Sequence, residues 1–173
     1  MSYAQSFLDD ERGGVFVYGP VVILDWRHNT STAIVAAAEL AVEAVTKTMS
    51  GAGRRLCYVQ RVAANSPIGR ATPEVRSAAL QHFEKHDGKV MAAAVAIETT
   101  GFAASVVRSA TAGVLLLRPT AIQTRVFKDT VEGLRWLGTF EAMAGVDIEA
   151  AIDAFAARGL AKLATAHPAP VPH

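Results

Sequence analysis

Apolar positions along the chain follow two different spacings, and their order predicts the secondary structure. Two short apolar runs, residues 15–18 and 21–26, are separated only by Gly19-Pro20, a pair typical of turns. So short a link predicts that these two strands are antiparallel neighbours. Farther along, segments with apolar residues every three or four positions alternate with short β-prone runs. This alternation is typical of an α/β sheet whose strands are joined by helical crossovers.

The predicted fold is a mixed, mostly parallel sheet of about five strands with an N-terminal hairpin. Strands are expected at residues 15–18, 21–26, 54–63, 90–97 and 123–127. Four helices are expected at about residues 32–49, 73–86, 102–117 and 130–138, and a C-terminal helix at 148–163. The corresponding division is a flexible leader over 1–13, an α/β domain over 14–138, and a helical extension with a Pro-rich tail over 139–173.

Capping residues mark several helix starts. Asn29, Thr30 and Ser31 precede the first helix, and Thr72-Pro73 opens the second. Asp129, followed three residues later by Glu132, forms the aspartate variant of a capping box before the fourth helix. These residues mark the predicted N-termini of three helices.

Composition narrows the class of protein. The chain has 173 residues, of which 51% are hydrophobic, and a net charge of +1. It is long enough for one domain with a substantial core, and its charge gives no global attraction to nucleic acid. No apolar stretch approaches the roughly 20 residues of a membrane span. Cys57 is the single cysteine. We therefore expect a cytoplasmic protein, and the Ala-rich, Arg-rich composition suggests a bacterial source.

Familiar catalytic motifs are missing. The sequence contains neither of the two common glycine-rich phosphate-binding loops and no G-x-S-x-G nucleophile elbow. It therefore predicts no catalytic residue, no cofactor and no enzymatic activity. An enzyme that uses Asp25, His28 or Ser66 is the least favoured alternative, because nothing places a nucleophile beside a base.

Two histidines have a spacing that can bind a metal. His82 and His86 lie four residues apart, so they share one face of the predicted second helix. A metal needs a third ligand, and Glu84 points away from that face. With Lys85 and Asp87 adjacent, we interpret this segment as the solvent-exposed end of a helix and expect no metal there.

Polar residues at the ends of the predicted strands are candidates for binding. Asp25, Trp26, Arg27 and His28 follow one another where the second strand ends, either as a pocket rim or as an ordinary strand end with Trp26 covering the core. In open α/β sheets, ligands and partners meet the crevice beyond the carboxyl ends of the strands.

The loop after the third strand and the turn after the fourth belong to the same predicted edge. Asn65, Ser66 and Arg70 lie in the first, just before a helix N-terminus, and Gly101 and Phe102 lie in the second. Phosphorylation of Ser66 would add nearly two negative charges at this position. We predict that these five residues contact a partner, although Phe102 also continues a buried helical stripe.

The element order resembles that of the STAS domain, the anti-sigma-factor-antagonist fold, in its SpoIIAA-like branch. The resemblance covers residues 14–138 and rests on that order and on segments such as Val15-Phe-Val-Tyr-Gly-Pro-Val-Val and Arg125-Val-Phe. The family's switch residue follows the third strand, where this chain reads Val62-Ala-Ala-Asn-Ser66-Pro-Ile-Gly-Arg70, without the family's preceding aspartate and Ser-Ser-Gly run.

The resemblance implies binding instead of catalysis. The expected partner is another protein, such as a regulator, a kinase or an anti-sigma-like factor. The C-terminal helix is a candidate to cover the sheet edge, to form a dimer contact or to bind the partner. The alternative is a sensor for a small ligand or lipid, because SpoIIAA-like proteins are similar to lipid-carrying domains. In that case Phe102, Val106 and Trp136 would line an apolar cleft.

Overall fold

The protein forms one six-stranded mixed sheet covered by helices. The computed structural model describes residues 4–27, 31–49, 54–63, 72–98 and 122–161. The strands are β1 (Gln5–Asp9), β2 (Gly13–Tyr18), β3 (Val21–Trp26), β4 (Leu56–Val62), β5 (Val90–Ile97) and β6 (Gln123–Phe127). They lie side by side in chain order. The β1–β2 and β2–β3 pairs are antiparallel and the others are parallel. The predicted α/β class, with its N-terminal hairpin, is confirmed.

Four α-helices lie in the described ranges. They are α1 (Thr32–Thr48), α2 (Pro73–His86), α3 (Thr130–Leu137) and α4 (Ile148–Ala156). The side chains of Ser31, Thr72 and Asp129 accept backbone hydrogen bonds at the starts of the first three, as the sequence predicts. The predicted helix over 102–117 lies outside the described residues. None of the described helices is long and apolar enough to cross a bilayer.

The sheet separates two hydrophobic layers because successive strand residues point to opposite faces. One layer contains α1 and α2 and includes Leu24, Tyr58 and Val62 from the sheet. The other contains α3 and α4 and includes Ile23, Cys57 and Val59. Strands β2, β3 and β5 are buried along their whole length, and β4 is buried at every residue except the half-buried Gln60, as strands covered on both faces should be. A side chain in the middle of the sheet therefore lies in one layer or the other.

The segment before Gly14 differs from the prediction. We expected a flexible leader over residues 1–13, but Gln5–Asp9 form the edge strand β1, which makes six strands instead of about five. Phe7 and Leu8 are half-buried and pack against the first layer. The sequence signal is weak because an edge strand with only two large apolar residues has neither a long apolar run nor a clear alternation.

The C-terminal segment belongs to the same packed body. Helix α4 ends at Ala156 instead of continuing to 163, and the chain then turns at Gly159, whose φ of +70° favours glycine. Ile152 and Phe155 are fully buried in the second layer together with residues of α3. Residues 139–161 are therefore part of the domain core, and not an appendage to it.

Candidate functional site

Three potential metal ligands meet between α1 and α2. Glu39 is a half-buried residue near the middle of α1, and His82 and His86 occupy successive turns of α2. The Nδ1 atom of His82 lies 3.0 Å from Glu39 Oε2, and the Nε2 atom of His86 lies 2.8 Å from the same oxygen. One ligand atom from each residue falls within 4.8 Å of the other two. Within the described ranges, this is the one group of at least three such residues.

Both histidines are buried, which corrects the prediction of a solvent-exposed helix end. His82 is 5% exposed and His86 is 1% exposed. The physical reason is that α2 packs against α1, so its inner stripe, which begins at Val75, continues through both imidazoles. Val75, Ala79, His82 and His86 recur at helical spacing, and this is the sequence signal that could have placed them inside. Nothing local indicates Glu39, which comes from another helix.

Tyr58 on β4 supports the cluster from below. Its hydroxyl lies 2.7 Å from His82 Nε2 and is fully buried. Burial, reinforced by the nearby Glu39 charge, raises the pKa of Tyr58 far above its usual value, so the hydroxyl stays protonated. It can therefore donate to Nε2 while His82 Nδ1–H donates to Glu39. This network joins β4, α2 and α1.

Electrostatics favour an ionised Glu39 beside a neutral His82. Burial opposes ionisation of Glu39, but hydrogen bonds from Lys85, His86 and His82 outweigh it and lower its pKa to about 2. Burial lowers the pKa of His82, partly offset by its hydrogen bond to Glu39. The Lys85 ammonium pairs with Glu39 Oε1, while the Lys85 side chain is 61% exposed. Neutral imidazoles and a carboxylate are the forms in which these groups bind metals.

A groove between α1 and α2 gives access to the cluster. Its volume is about 320 Å³, and Glu39, His82 and Lys85 contribute to its lining. The walls are mainly apolar, formed by Val35, Ala36 and Ala78. A small ligand or ion can therefore reach Glu39 and His82 from outside.

The order Tyr58, His82, Glu39 also resembles a nucleophile, a base and an orienting acid. The two hydrogen bonds have suitable lengths, 2.7 Å and 3.0 Å. However, the Tyr58 hydroxyl lies beneath His82, and the residue has no exposed surface. A substrate cannot reach it without opening the core, so the geometry favours ligation over nucleophilic catalysis.

A second polar cluster lies where the parallel strands end. Arg61 on β4 pairs with Asp25 on β3 at 2.6 Å and with Glu98, just after β5, at 2.7 Å. Arg27 also contacts Asp25 at 2.6 Å, and the Thr130 hydroxyl donates to Glu98 at 3.1 Å. Burial opposes the charge of Arg61, but the hydrogen bond to Glu98 and both carboxylates raise its pKa. We call these five residues the edge network.

The consecutive residues Asp25 and Trp26, which the sequence analysis grouped as a candidate pocket rim, lie on opposite faces of the sheet. Asp25 lies with Arg61 on the face that carries α3, whereas Trp26 is buried in the layer of α1 and α2. Trp26 therefore fills the core, as one of the two sequence interpretations held. Both oxygens of Asp25 are engaged by arginines, so this carboxylate is not free to act as a base. His28 lies outside the described residues.

The five predicted partner-binding residues, Asn65, Ser66, Arg70, Gly101 and Phe102, lie outside the described residues, as does Val106. Their segments nevertheless start side by side. Val62 and Ile97, the last residues of β4 and β5, are register partners, and the Glu98 N–H donates to the Val62 carbonyl at 3.1 Å. Trp136, the third residue of the predicted apolar cleft, packs against Phe127 and Phe140.

Comparison of the chain with protein-family models, with curated proteins and with solved structures finds no match. The fold and the two clusters described above therefore carry the functional argument.

Proposed function

We propose that the protein is a non-enzymatic regulatory or adaptor module that binds another protein beyond the carboxyl edge of its sheet. The observation that carries this proposal is the convergence of strand ends. Trp26, Val62 and Ile97 end three adjacent parallel strands in matching register. The segments that continue from them, which contain Ser66 and Gly101, start from one edge. In open α/β sheets, that edge is where ligands and partners usually bind.

The edge network supports this proposal by making the base of the surface rigid. Arg61 ties β3 to the residue after β5 through two charged hydrogen bonds. Thr130 extends the tie to the start of α3. A binding surface on segments anchored to rigid strand ends loses less entropy when it binds. The engagement of Asp25 by two arginines also suits a binding role better than acid–base catalysis.

The class we infer is the one that the sequence resembles, a divergent STAS-like module of a bacterial cytoplasm. Such a module would bind a regulator, a kinase or an anti-sigma-like factor through Asn65, Ser66, Arg70, Gly101 and Phe102. Phosphorylation of Ser66 would then change the charge of that surface. Arg70 would supply the one permanent positive charge among the five.

Affinity capture of the tagged full chain from its own host tests this proposal. We expect a stoichiometric protein partner whose affinity falls at least tenfold in Arg70→Ala, with a smaller loss in Ser66→Ala and no change in melting temperature. Arg54→Ala is the matched control, because Arg54 is exposed just before β4, at the opposite edge. Absence of any partner, or equal affinity of the Arg70 and Arg54 variants, would refute the proposal. A second, differently tagged copy in the same capture detects self-association.

The alternative proposal is a sensor for a small ligand or lipid. One observation favours it, the groove between α1 and α2, whose apolar walls leave a cavity of about 320 Å³. A bound molecule of this size would copurify with the protein. Native mass spectrometry distinguishes the alternatives, because a stoichiometric adduct supports the sensor and a mass equal to that of the chain counts against it.

A further inference from the structure

We propose that Glu39, His82 and His86 form a binding site for a divalent transition metal, with zinc as the best candidate. The ligand atoms are Glu39 Oε2, His82 Nδ1 and His86 Nε2, which already face one another. This site lies on a helix-covered face of the sheet, and it does not depend on partner binding at the carboxyl edge.

The donor set points to the metal. Two imidazole nitrogens and one carboxylate oxygen suit zinc and its first-row neighbours, whereas calcium and magnesium prefer oxygen ligands. The two nitrogens lie 3.0 Å and 2.8 Å from the carboxylate oxygen. Zinc binds its ligands at roughly 2.0–2.2 Å, which places tetrahedral ligand atoms about 3.4 Å apart, so each nitrogen needs to move about half an ångström from the carboxylate oxygen to admit an ion.

The surroundings of His82 resemble the supporting shell of a metal site. Ligating histidines usually donate their second ring N–H to a neighbour, which fixes the ring. When His82 binds through Nδ1, its proton moves to Nε2, and the Tyr58 hydroxyl at 2.7 Å changes from donor to acceptor. His86 would bind through Nε2, and its proton would move to Nδ1, which is buried without a hydrogen-bond partner among the described residues.

The Lys85 side chain would compete with a metal ion for Glu39. Its ammonium neutralises Glu39 through Oε1, and a metal dication on Oε2 would repel it. The Lys85 side chain is 61% exposed on a flexible stem, so it can leave for solvent when a metal binds. Removing its charge should therefore strengthen metal binding. If Lys85 instead held Glu39 in place for the metal, the same change would weaken metal binding.

The groove supplies an entry path and an open position. Three protein ligands leave one position of a tetrahedral zinc ion unfilled. Glu39 and His82 border the groove, so that position is accessible to water or a small ligand. Tyr58 and the sheet close the opposite side.

Zinc titration of the chelator-treated full chain tests the site. We expect one Zn²⁺ per chain by calorimetry and a rise in melting temperature of roughly 5–10 °C at a hundredfold excess over Kd. Glu39→Gln keeps the size of the side chain but should weaken binding at least tenfold. Glu84→Gln, the same change at an exposed position on α2, should leave binding unchanged. Lys85→Met should tighten binding roughly threefold to tenfold.

Three results of this titration would contradict the proposal or part of it. No saturable binding to the wild-type protein would overturn it. Zinc binding equally tight in Glu39→Gln and wild type would also overturn it, because the ion would then lie elsewhere in a chain that has five histidines. Weaker binding in Lys85→Met would show that Lys85 supports the site and would contradict the competition argued above. Circular dichroism without metal confirms that each variant is folded.

Discussion

At the residue scale, Arg61 is a buried arginine that two carboxylates neutralise. It is 9% exposed and lies between Asp25, which has no exposed surface, and Glu98. Removing one partner from a buried ion pair leaves a charge without compensation, which costs more than the pair itself contributes. The stability of the carboxyl edge therefore depends on this one guanidinium.

We expect Arg61→Met to lower the free energy of unfolding by about 3 kcal/mol, because Glu98 loses its arginine and Asp25 keeps only Arg27. Urea denaturation measures the change. Arg54→Met, at an exposed position, is the control and should stay within about 0.5 kcal/mol of the wild-type value. A similarly small effect at Arg61 would show that the edge network does not stabilise the fold.

At the element scale, the sheet's first hairpins depend on close backbone approach. A Cβ atom on Gly13 would overlap the Asp25 carbonyl oxygen and would lie 2.6 Å from Ile34 Cδ1. The start of β2 therefore packs against both β3 and α1 with no room for a side chain. Gly13, the last residue of the predicted leader, instead begins a buried strand.

Gly13→Ala should destabilise the protein by roughly 1–3 kcal/mol, since the backbone of β3 cannot move without disturbing the sheet. Gly88→Ala is the matched control, because a Cβ there meets nothing within 4 Å. The control should change the free energy of unfolding by less than about 0.5 kcal/mol. Thermal or urea unfolding gives both values, and equal effects of the two substitutions would contradict the packing described here.

Elements with strong local signals were predictable, and those defined by tertiary contacts were not. Gly19-Pro20 predicted the β2–β3 turn, where Gly19 has φ of +55°, and Asp129 predicted the start of α3. Strand β1 was missed because its partner β2, and not its own pattern, defines it. The His82–His86 spacing was visible, but Glu39 is 43 residues away from His82, so only the packing of α1 on α2 reveals the third ligand.

At the scale of the whole molecule, the sheet keeps the two polar clusters apart. The edge network lies where β3, β4 and β5 end, and the Glu39 cluster lies in the layer of α1 and α2. Both clusters use β4. Tyr58 and Arg61 are at positions 58 and 61 of this strand, and their side chains point to opposite faces because successive strand residues alternate between the two faces. The proposed metal site and the proposed partner-binding edge therefore lie on different surfaces of one sheet.

Stability of the metal-free protein should fall in acid in two steps. The lowered pKa of His82 means that the unfolded chain binds its proton first, so stability declines as the pH falls below about 6.5. Glu39, with a pKa of about 2 against an ordinary 4.5, adds a loss on the order of 2 kcal/mol between those values. Urea unfolding with chelator from pH 7 to about pH 2 measures both.

Glu39→Gln serves as the test of that assignment. The variant has no carboxylate to protonate, so the decline below pH 4.5 should shrink. An identical acid profile in the variant and the wild type would show that other carboxylates govern acid unfolding.

Anomalous diffraction from crystals grown with zinc, recorded on both sides of the zinc absorption edge, would locate the ion and so test the proposed Glu39–His82–His86 site. We expect an anomalous peak between α1 and α2, bonded to His82 Nδ1, His86 Nε2 and a Glu39 carboxylate oxygen at roughly 2.0–2.2 Å. A map in which these three side chains still contact one another directly, with zinc elsewhere or absent, would contradict it.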